Sequence, residues 1–421
     1  MAGSSVSEIP QADIVIIGAG IIGICAAAHL AEAGQRVLVI DRSGICEETS
    51  AGNAAAFAFS DVLPLAHKGM MKNLPRWLAD PLGPLAIRPS YLPQLLPWLW
   101  RFWRAGHADT AKAVAAQVSM MQLAQSEWMG LMDRSGTRDM LREDGSLELY
   151  ESEAEFRGAL PGWAVRQTHG IEFRHVEGED LAALQPGLSR QFVKGTFVPG
   201  WKTVDDPKLL GQAVWAYAKV KGAQFLRATV ASIEAGQSGP VEIVLEGGRR
   251  VTAPKLLVAA GAWSHLWTRR FGDRVPLETE RGYNTTLPQG AFDLKRQLIF
   301  SDHGFVVTPL STGLRVGGAV ELGGLKLPPN YARSRAMLEK ARRFLPGLKT
   351  EGGREWMGYR PSTPDSLPVI GRSRSSHNVV YAFGHGHLGL TQAAATGRLA
   401  RELMLGQAPA IDLSPFSPQR F

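Results

Sequence analysis

The stretch IVIIGAGIIG, Ile14 to Gly23, constrains this chain more than any other part of it. Its four branched apolar residues read as a strand buried on both faces. The segment that follows, IIGICAAAHLAEAG, has helical spacing and stops at Gly34, and RVLVID reads as the next strand. This is a strand, helix, strand unit with Gly18, Gly20 and Gly23 in the pattern G-x-G-x-x-G. The first glycine permits a sharp turn, the second lets backbone close on a pyrophosphate, and the third lets the helix pack against the strand. N–H groups and the positive dipole end at the helix start then face the phosphates. Asp41 closes the second strand, where a carboxylate accepts hydrogen bonds from an adenosine ribose and repels a 2′-phosphate, which disfavours NADP. The pattern predicts a dinucleotide site, and both FAD and NAD fit it. A membrane span over Ile14 to Ala31 is the competing reading; three glycines, His29 and the returning strand count against it.

Composition removes several function classes. The chain has 421 residues, 45% apolar and 20% charged, which is ordinary globular content for two or three domains. Its 46 lysines and arginines against 39 acids give a net charge of +7, thinly spread. The pairs Arg249–Arg250 and Arg269–Arg270 read as solvated turns or helix ends, so no nucleic-acid partner is expected. Two cysteines, Cys25 and Cys46, supply neither a disulfide framework nor a zinc ligand set and fit a reducing, cytoplasmic setting. MAGSSVSEIPQA lacks a basic start and reads as a short flexible tail.

Three further segments add to the glycine motif. ETSAGNAAAF, Glu48 to Phe57, is a small-residue loop after Asp41. FLRATVASIE and VEIVLEGGRRVTAPKLLVAAGAWS read as a strand, a hairpin turning at Gly247 and Gly248, and a buried strand ending at Gly261, where small residues permit close approach by a ligand. GYRPSTPDSLPVIG, then NVVYAFGHGHLGLTQAAATG, gives a Pro-rich turn, a strand, a Gly-rich loop and a helix starting near Leu390.

With these segments the chain resembles the D-amino-acid oxidase superfamily of FAD-dependent oxidoreductases, most closely the bacterial D-amino-acid dehydrogenase small-subunit type. The resemblance implies an α/β fold: a discontinuous FAD-binding Rossmann-like domain, about 10–90, 190–265 and 355–421, with a mixed-sheet α+β substrate domain over 91–189 and 266–354 that carries a helical insertion. It implies that Gly18, Ala19, Gly20, Ile22, Gly23, Asp41 and Arg42 hold the ADP half. Thr49, Ser50, Asn53, Ala54 and Ala55 then run beside pyrophosphate and flavin, with Val230 near adenine. Ala260, Gly261 and Trp263 close the cradle, and Gly386, His387, Leu388, Gly389, Leu390 and Thr391 bring N–H groups and a helix start to the pyrimidine edge of the flavin. Reduced flavin is negative there, and a helix N-terminus stabilises that charge. Relatives that tether flavin use a cysteine in the C-terminal half or a histidine after the second strand; this chain has neither, so FAD is expected to be noncovalent.

The implied reaction is oxidative deamination of a D-amino acid or cyclic imino acid, by hydride transfer from Cα to flavin N5, with a quinone or other acceptor taking the electrons. Such chemistry needs positioning more than acid or base. Arg360 in G-x-R-P is the expected carboxylate clamp, because a guanidinium binds both carboxylate oxygens at once. Arg281 and Tyr283, alternating in ETERGYNTTL, are further candidates for substrate contact, with a purely structural strand as the alternative. His385 and His387 in GHGHLG lack a third ligand at metal spacing, so no metal is expected. His387 departs from the smaller polar residue of many relatives and is placed over the flavin, where it narrows the pocket and favours a compact substrate such as D-proline or hydroxyproline. The alternatives are a glycine/sarcosine-type oxidase using dioxygen and a non-catalytic flavin-binding subunit.

One belt stands outside this scheme. WLADPLGPLAIRPSYLPQLLPWLWRFWRAG, Trp77 to Gly106, mixes tryptophan, proline and arginine. It reads as a packed loop with a helix at Leu95 to Arg104, or as a peripheral contact with the inner membrane.

Overall fold

The computed structural model describes residues 11–66, 77, 80, 82–108 and 110–421; the N-terminal tail and part of the tryptophan belt lie outside them. Ile14–Ile17 is a strand with all four residues buried, and Val37–Asp41 pairs with it in parallel. Around this pair forms a six-stranded sheet in the order Gln224–Arg227, Val37–Asp41, Ile14–Ile17, Lys255–Val258, Val379–Phe383, Val369–Arg372. The first five strands run parallel and the last runs antiparallel. The order reverses at Ile14–Ile17, which puts a crevice at the carboxyl ends of the strands beside it.

Helices Ile21–Glu32, Ala111–Ser135 and Gly389–Leu405 share one core against the sheet. A Cβ at Gly397 would lie 2.7 Å from the backbone of Cys25, so the first and last of these helices approach at backbone distance. On the other face lies a three-stranded sheet, Val230–Glu234, Val241–Leu245 and Arg250–Ala253, whose hairpin turns through Gly247 and Gly248, both with positive φ.

The second large sheet is mixed and nine-stranded. It runs Arg354–Ser362, Glu278–Leu287, Gly313–Leu322, Phe305–Leu310, Gln297–Phe300, Ser146–Tyr150, Lys194–Val198, Arg174–Glu177, with Leu85–Ile87 added beside Gly313–Leu322. Its core is closed by helix Ala332–Phe344. Three of its strands, Leu85–Ile87, Lys194–Val198 and Arg354–Ser362, fall in segments that the sequence grouped with the nucleotide domain. Pairing in a sheet follows hydrogen-bond register, which does not show in linear order. Within 91–189, where a helical insertion was expected, Ser146–Tyr150 is a strand alternating into the second core.

In the tryptophan belt the helix is longer than expected, Leu92–His107. Pro93 lies in its first turn, where an N–H has no partner to lose. Pro97 forfeits one hydrogen bond, while Leu95 and Trp98 anchor the helix in a small core with Leu322. Leu92, Leu96, Trp100 and Trp103 remain exposed, and Trp100 stacks on Trp103. Among the described residues no helix is long and apolar enough to cross a membrane.

Candidate active site

The crevice holds a cavity of about 490 Å³ that runs from the first glycine loop to the face of the nine-stranded sheet. Gly18 has φ +111°, and a Cβ there would strike the carbonyl of Ala259. A Cβ on Gly23 would strike the carbonyl of Gly18. Neither position admits a side chain. Gly20 is different, since a Cβ there would meet only the Ser50 hydroxyl at 3.4 Å, so its missing side chain leaves room on the cavity side.

Asp41 does more than close a strand. Its Oδ2 accepts the Ala19 N–H at 2.8 Å and its Oδ1 accepts the Ser43 N–H at 2.8 Å, so the acid braces the glycine turn while it lines the cavity. The Ile21 N–H donates to Ser50 Oγ at 3.0 Å, which ties the ETSAGN loop to the helix start. The next N–H groups, of Ile22 and Gly23, have no intrahelical acceptor and suit an anion. Arg42 lies over the Trp263 ring, 4.2 Å from its centroid.

The small-residue loop is held from the second sheet. Arg315 donates to the carbonyls of Ala51 and Asn53, Asn284 to that of Gly52, and Gln297 to that of Ala54. Thr49 Oγ1 donates to the Tyr359 carbonyl at 2.8 Å. Ala55 takes φ +58°, and its N–H is satisfied by Asn53 Oδ1.

At the far end, Gly384 and Gly386 have positive φ, a short turn follows, and helix Gly389–Leu405 begins. Thr391 is buried; it accepts from the Ala58 N–H and donates to the Ala56 carbonyl. Trp128 donates to the Leu390 carbonyl. His385 Nε2 sits 2.9 Å from Thr396 Oγ1, and burial drives its pKa down to about 3, so it is a neutral packing residue.

Of the residues expected to hold the dinucleotide, Gly18, Gly20, Ile22, Asp41, Arg42, Thr49, Ser50, Asn53, Ala54, Val230, Ala260, Gly261, Trp263, Gly386, His387, Gly389 and Leu390 line this one cavity. Ala19, Gly23, Ala55, Leu388 and Thr391 stand behind it, in the turns that shape it.

Arg360 lies in the same cavity, directly opposite Glu280 across the antiparallel pair. Directly opposed residues share a sheet face. Its Nη1 donates to the Ala319 carbonyl at 3.0 Å, one of a guanidinium's five donors. Gly282 makes the space, since a Cβ there would overlap the guanidinium. Trp356 fits likewise, because a Cβ on Gly52 or Gly358 would overlap its ring. Burial lowers the Arg360 pKa and Glu280 partly restores it.

Arg281 does not reach the cavity. The two-residue period of the strand turns it to the opposite face from Glu280 and Gly282. There Nε donates to the Gly324 carbonyl and the terminal nitrogens to those of Leu327 and Pro328, with Glu321 3.5 Å away. Tyr283 borders the cavity, but its side chain follows Arg281 to the opposite face and into the second core, where its hydroxyl donates to Glu321 at 2.5 Å and accepts the Asn330 N–H. Burial, then Glu321, pushes its pKa up to about 12.

Sequence reading passed over Glu280, although it lies in the same quoted strand. Its Oε2 is 2.5 Å from His387 Nε2. Burial raises the carboxyl, yet the charge and hydrogen bond of His387 and the charge of Arg360 outweigh it and hold it below the usual range. A lone glutamate in a strand carries no spacing signal; its partners arrive from remote segments. Among the described residues no group of His, Cys, Asp and Glu is placed to hold a metal ion.

A nucleotide cradle at a topological switch point, roofed by a second sheet bearing a half-buried cation, defines a dinucleotide-dependent fold with its own substrate chamber. The chain belongs to the DAO family of FAD dependent oxidoreductases, whose model matches residues 13–403. It is 35% identical over 419 residues to a D-amino-acid oxidase of Bradyrhizobium diazoefficiens, covering 97% of this chain and 98% of that protein. It is 29% identical over 425 residues to a D-amino acid dehydrogenase of Neisseria meningitidis, covering 97% and 99%. Glycine oxidase from Geobacillus kaustophilus shares the fold, with a TM-score of 0.75 at 20% identity over 98% of this chain and 100% of that one. The residues present fit FAD, through the open side of Gly20 and a cavity that continues past the nucleotide cradle to the Gly386–Leu390 turn.

Proposed function

We propose that this protein oxidises a D-amino acid or a cyclic imino acid with noncovalent FAD, the carboxylate being held by Arg360, and passes the electrons to a quinone or other acceptor. One observation carries the reading: a half-buried guanidinium faces the cavity, makes a single protein hydrogen bond among the described residues, and has Glu280 to balance its charge. A carboxylate entering there meets donors already aligned, and a planar fork binds it in one orientation. When bound, FAD supplies the acceptor for the hydride leaving the substrate Cα.

The chain's own residues do the rest. Arg360 fixes the carboxylate, Trp356 forms a wall, and His387 narrows the chamber toward compact substrates. The glycine-loop N–H groups hold the pyrophosphate, and the start of helix Gly389–Leu405 stabilises negative charge beside it. Both thiols are buried and neither lines the cavity, which supports noncovalent attachment. Acid precipitation should therefore leave the yellow colour in the supernatant.

The names of the two sequence relatives support D-configured substrates. The exposed tryptophans of helix Leu92–His107 support an acceptor at the inner membrane, reached by a peripheral contact of a cytoplasmic protein. Oxidase chemistry is the second reading, favoured by the name of the 35%-identical relative. The deciding experiment mixes FAD-loaded protein anaerobically with D-alanine, D-methionine and D-proline. Bleaching of the flavin is expected, and no bleaching by any amino acid sinks the proposal. Readmitted air separates the readings: slow reoxidation, fast with an added quinone, marks a dehydrogenase, and rapid peroxide formation marks an oxidase.

A further inference from the structure

His387 lines the chamber, 36% exposed, and its Nε2 meets the almost wholly buried Glu280 carboxylate at 2.5 Å. Glu280 thus faces two groups of the chamber, the Arg360 guanidinium across the sheet and the His387 imidazole from the turn before the last long helix. A carboxylate accepting one imidazole N–H fixes the tautomer and leaves the lone pair on the other nitrogen. That nitrogen is Nδ1, which has no protein hydrogen bond among the described residues.

An amino acid at neutral pH carries an ammonium group, whereas its oxidation to an imine draws on the nitrogen lone pair. One proton must therefore leave before or during that step. Resting on the proposed amino acid oxidation, we infer that His387, positioned by Glu280, is the acceptor of that proton. In this step an N–H bond of the ammonium breaks and an Nδ1–H bond forms; no electrons change owner. The resulting imidazolium is stabilised by the carboxylate already bonded to its other nitrogen.

The charged and titratable groups around His387 agree with this role. Glu280 and Glu278 come from strand Glu278–Leu287, and Glu278 is engaged by the Tyr91 hydroxyl at 3.1 Å. Arg360 comes from the neighbouring strand, where a substrate carboxylate would take up much of its charge. On the same turn His385 is bonded to Thr396 and buried, so it does not compete for the proton.

The test compares wild type and His387→Asn, both FAD-loaded, in anaerobic reduction by whichever of D-alanine, D-methionine and D-proline bleaches wild type fastest, across a pH series. Benzoate binding, read from the flavin spectrum, runs alongside and reports the carboxylate clamp without an amine or turnover. We expect His387→Asn to be reduced about 100-fold more slowly at neutral pH. The deficit should vanish as pH rises past the substrate's own ammonium pKa, with benzoate affinity unchanged. Glu280→Gln should move the acid limb of the profile, because it removes the carboxylate hydrogen-bonded to the imidazole. Superimposable pH profiles for wild type and His387→Asn overturn the inference. So does a deficit that persists at high pH, or one accompanied by loss of benzoate binding, since each makes His387 a wall of the chamber. A wild type that no amino acid reduces overturns the functional reading and this inference together.

Discussion

Arg360 and Gly282 are a matched pair, the guanidinium lying where a side chain at 282 would be. Arg360→Ala should cost roughly 3 to 5 kcal/mol of substrate binding, the usual loss when one member of a buried ion pair is removed. That is on the order of two to three and a half decades in kcat/KM. Steady-state kinetics checks it, and near-wild-type values would remove Arg360 from the site. Arg360→Lys should recover part of the loss, because the charge facing Glu280 returns while the planar fork does not. Arg360 was legible in the sequence through the G-x-R-P stretch. Glu280 was not, because its partners lie 80 residues on, at Arg360, and 107 residues on, at His387. Arg281 was a further candidate on paper, beside a purely structural reading of its strand, and strand alternation turned it to the other face.

At the scale of elements, the helix after the glycine motif and the last long helix meet through Gly397, whose added Cβ would press on the Cys25 backbone. Backbone cannot move aside as a flexible side chain can. Gly397→Leu should therefore destabilise by about 1–3 kcal/mol through overpacking, seen as a lower denaturation midpoint, and should loosen FAD because both helix starts face the cavity. An unchanged midpoint would show the helices free to separate. Helix Leu92–His107 carries a different prediction. Leu96, Trp100 and Trp103 are 55%, 58% and 47% exposed, with Arg101 and Arg104 beside them and no acid in the helix. Flotation with anionic vesicles should carry the protein upward, and Trp100→Ser with Trp103→Ser should abolish that; a protein that stays at the bottom returns this face to an ordinary surface. Composition showed that tryptophan and arginine cluster here. Which tryptophan is anchored and which is bare depended on packing against Leu322 and strand Leu85–Ile87.

Across the whole molecule, stability is expected to depend on pH through histidines buried without charge. Burial first, then the charges of Arg134 and Arg401, hold His29 at about 3 against an ordinary 6.5. Burial alone holds His385 at about 3. Both native pKa values lie below the unfolded value, so the unfolded chain binds more protons under pH 6.5, and stability falls as pH drops from there toward 3. Melting temperatures over that range should decline, and His29→Gln should flatten the slope. An identical slope in the variant would assign the decline to other groups.

By itself the sequence determined the nucleotide half of this protein, because strand, glycine turn, helix and acid are neighbours in the chain and each has a local spacing rule. It also marked Arg360 and the glycine turn before the last long helix. Tertiary structure alone decided which strands build the chamber, that Arg281 turns away from it, and that Glu280 stands between Arg360 and His387. Those facts depend on register between remote strands and on which face a side chain takes, and neither is written in any one segment.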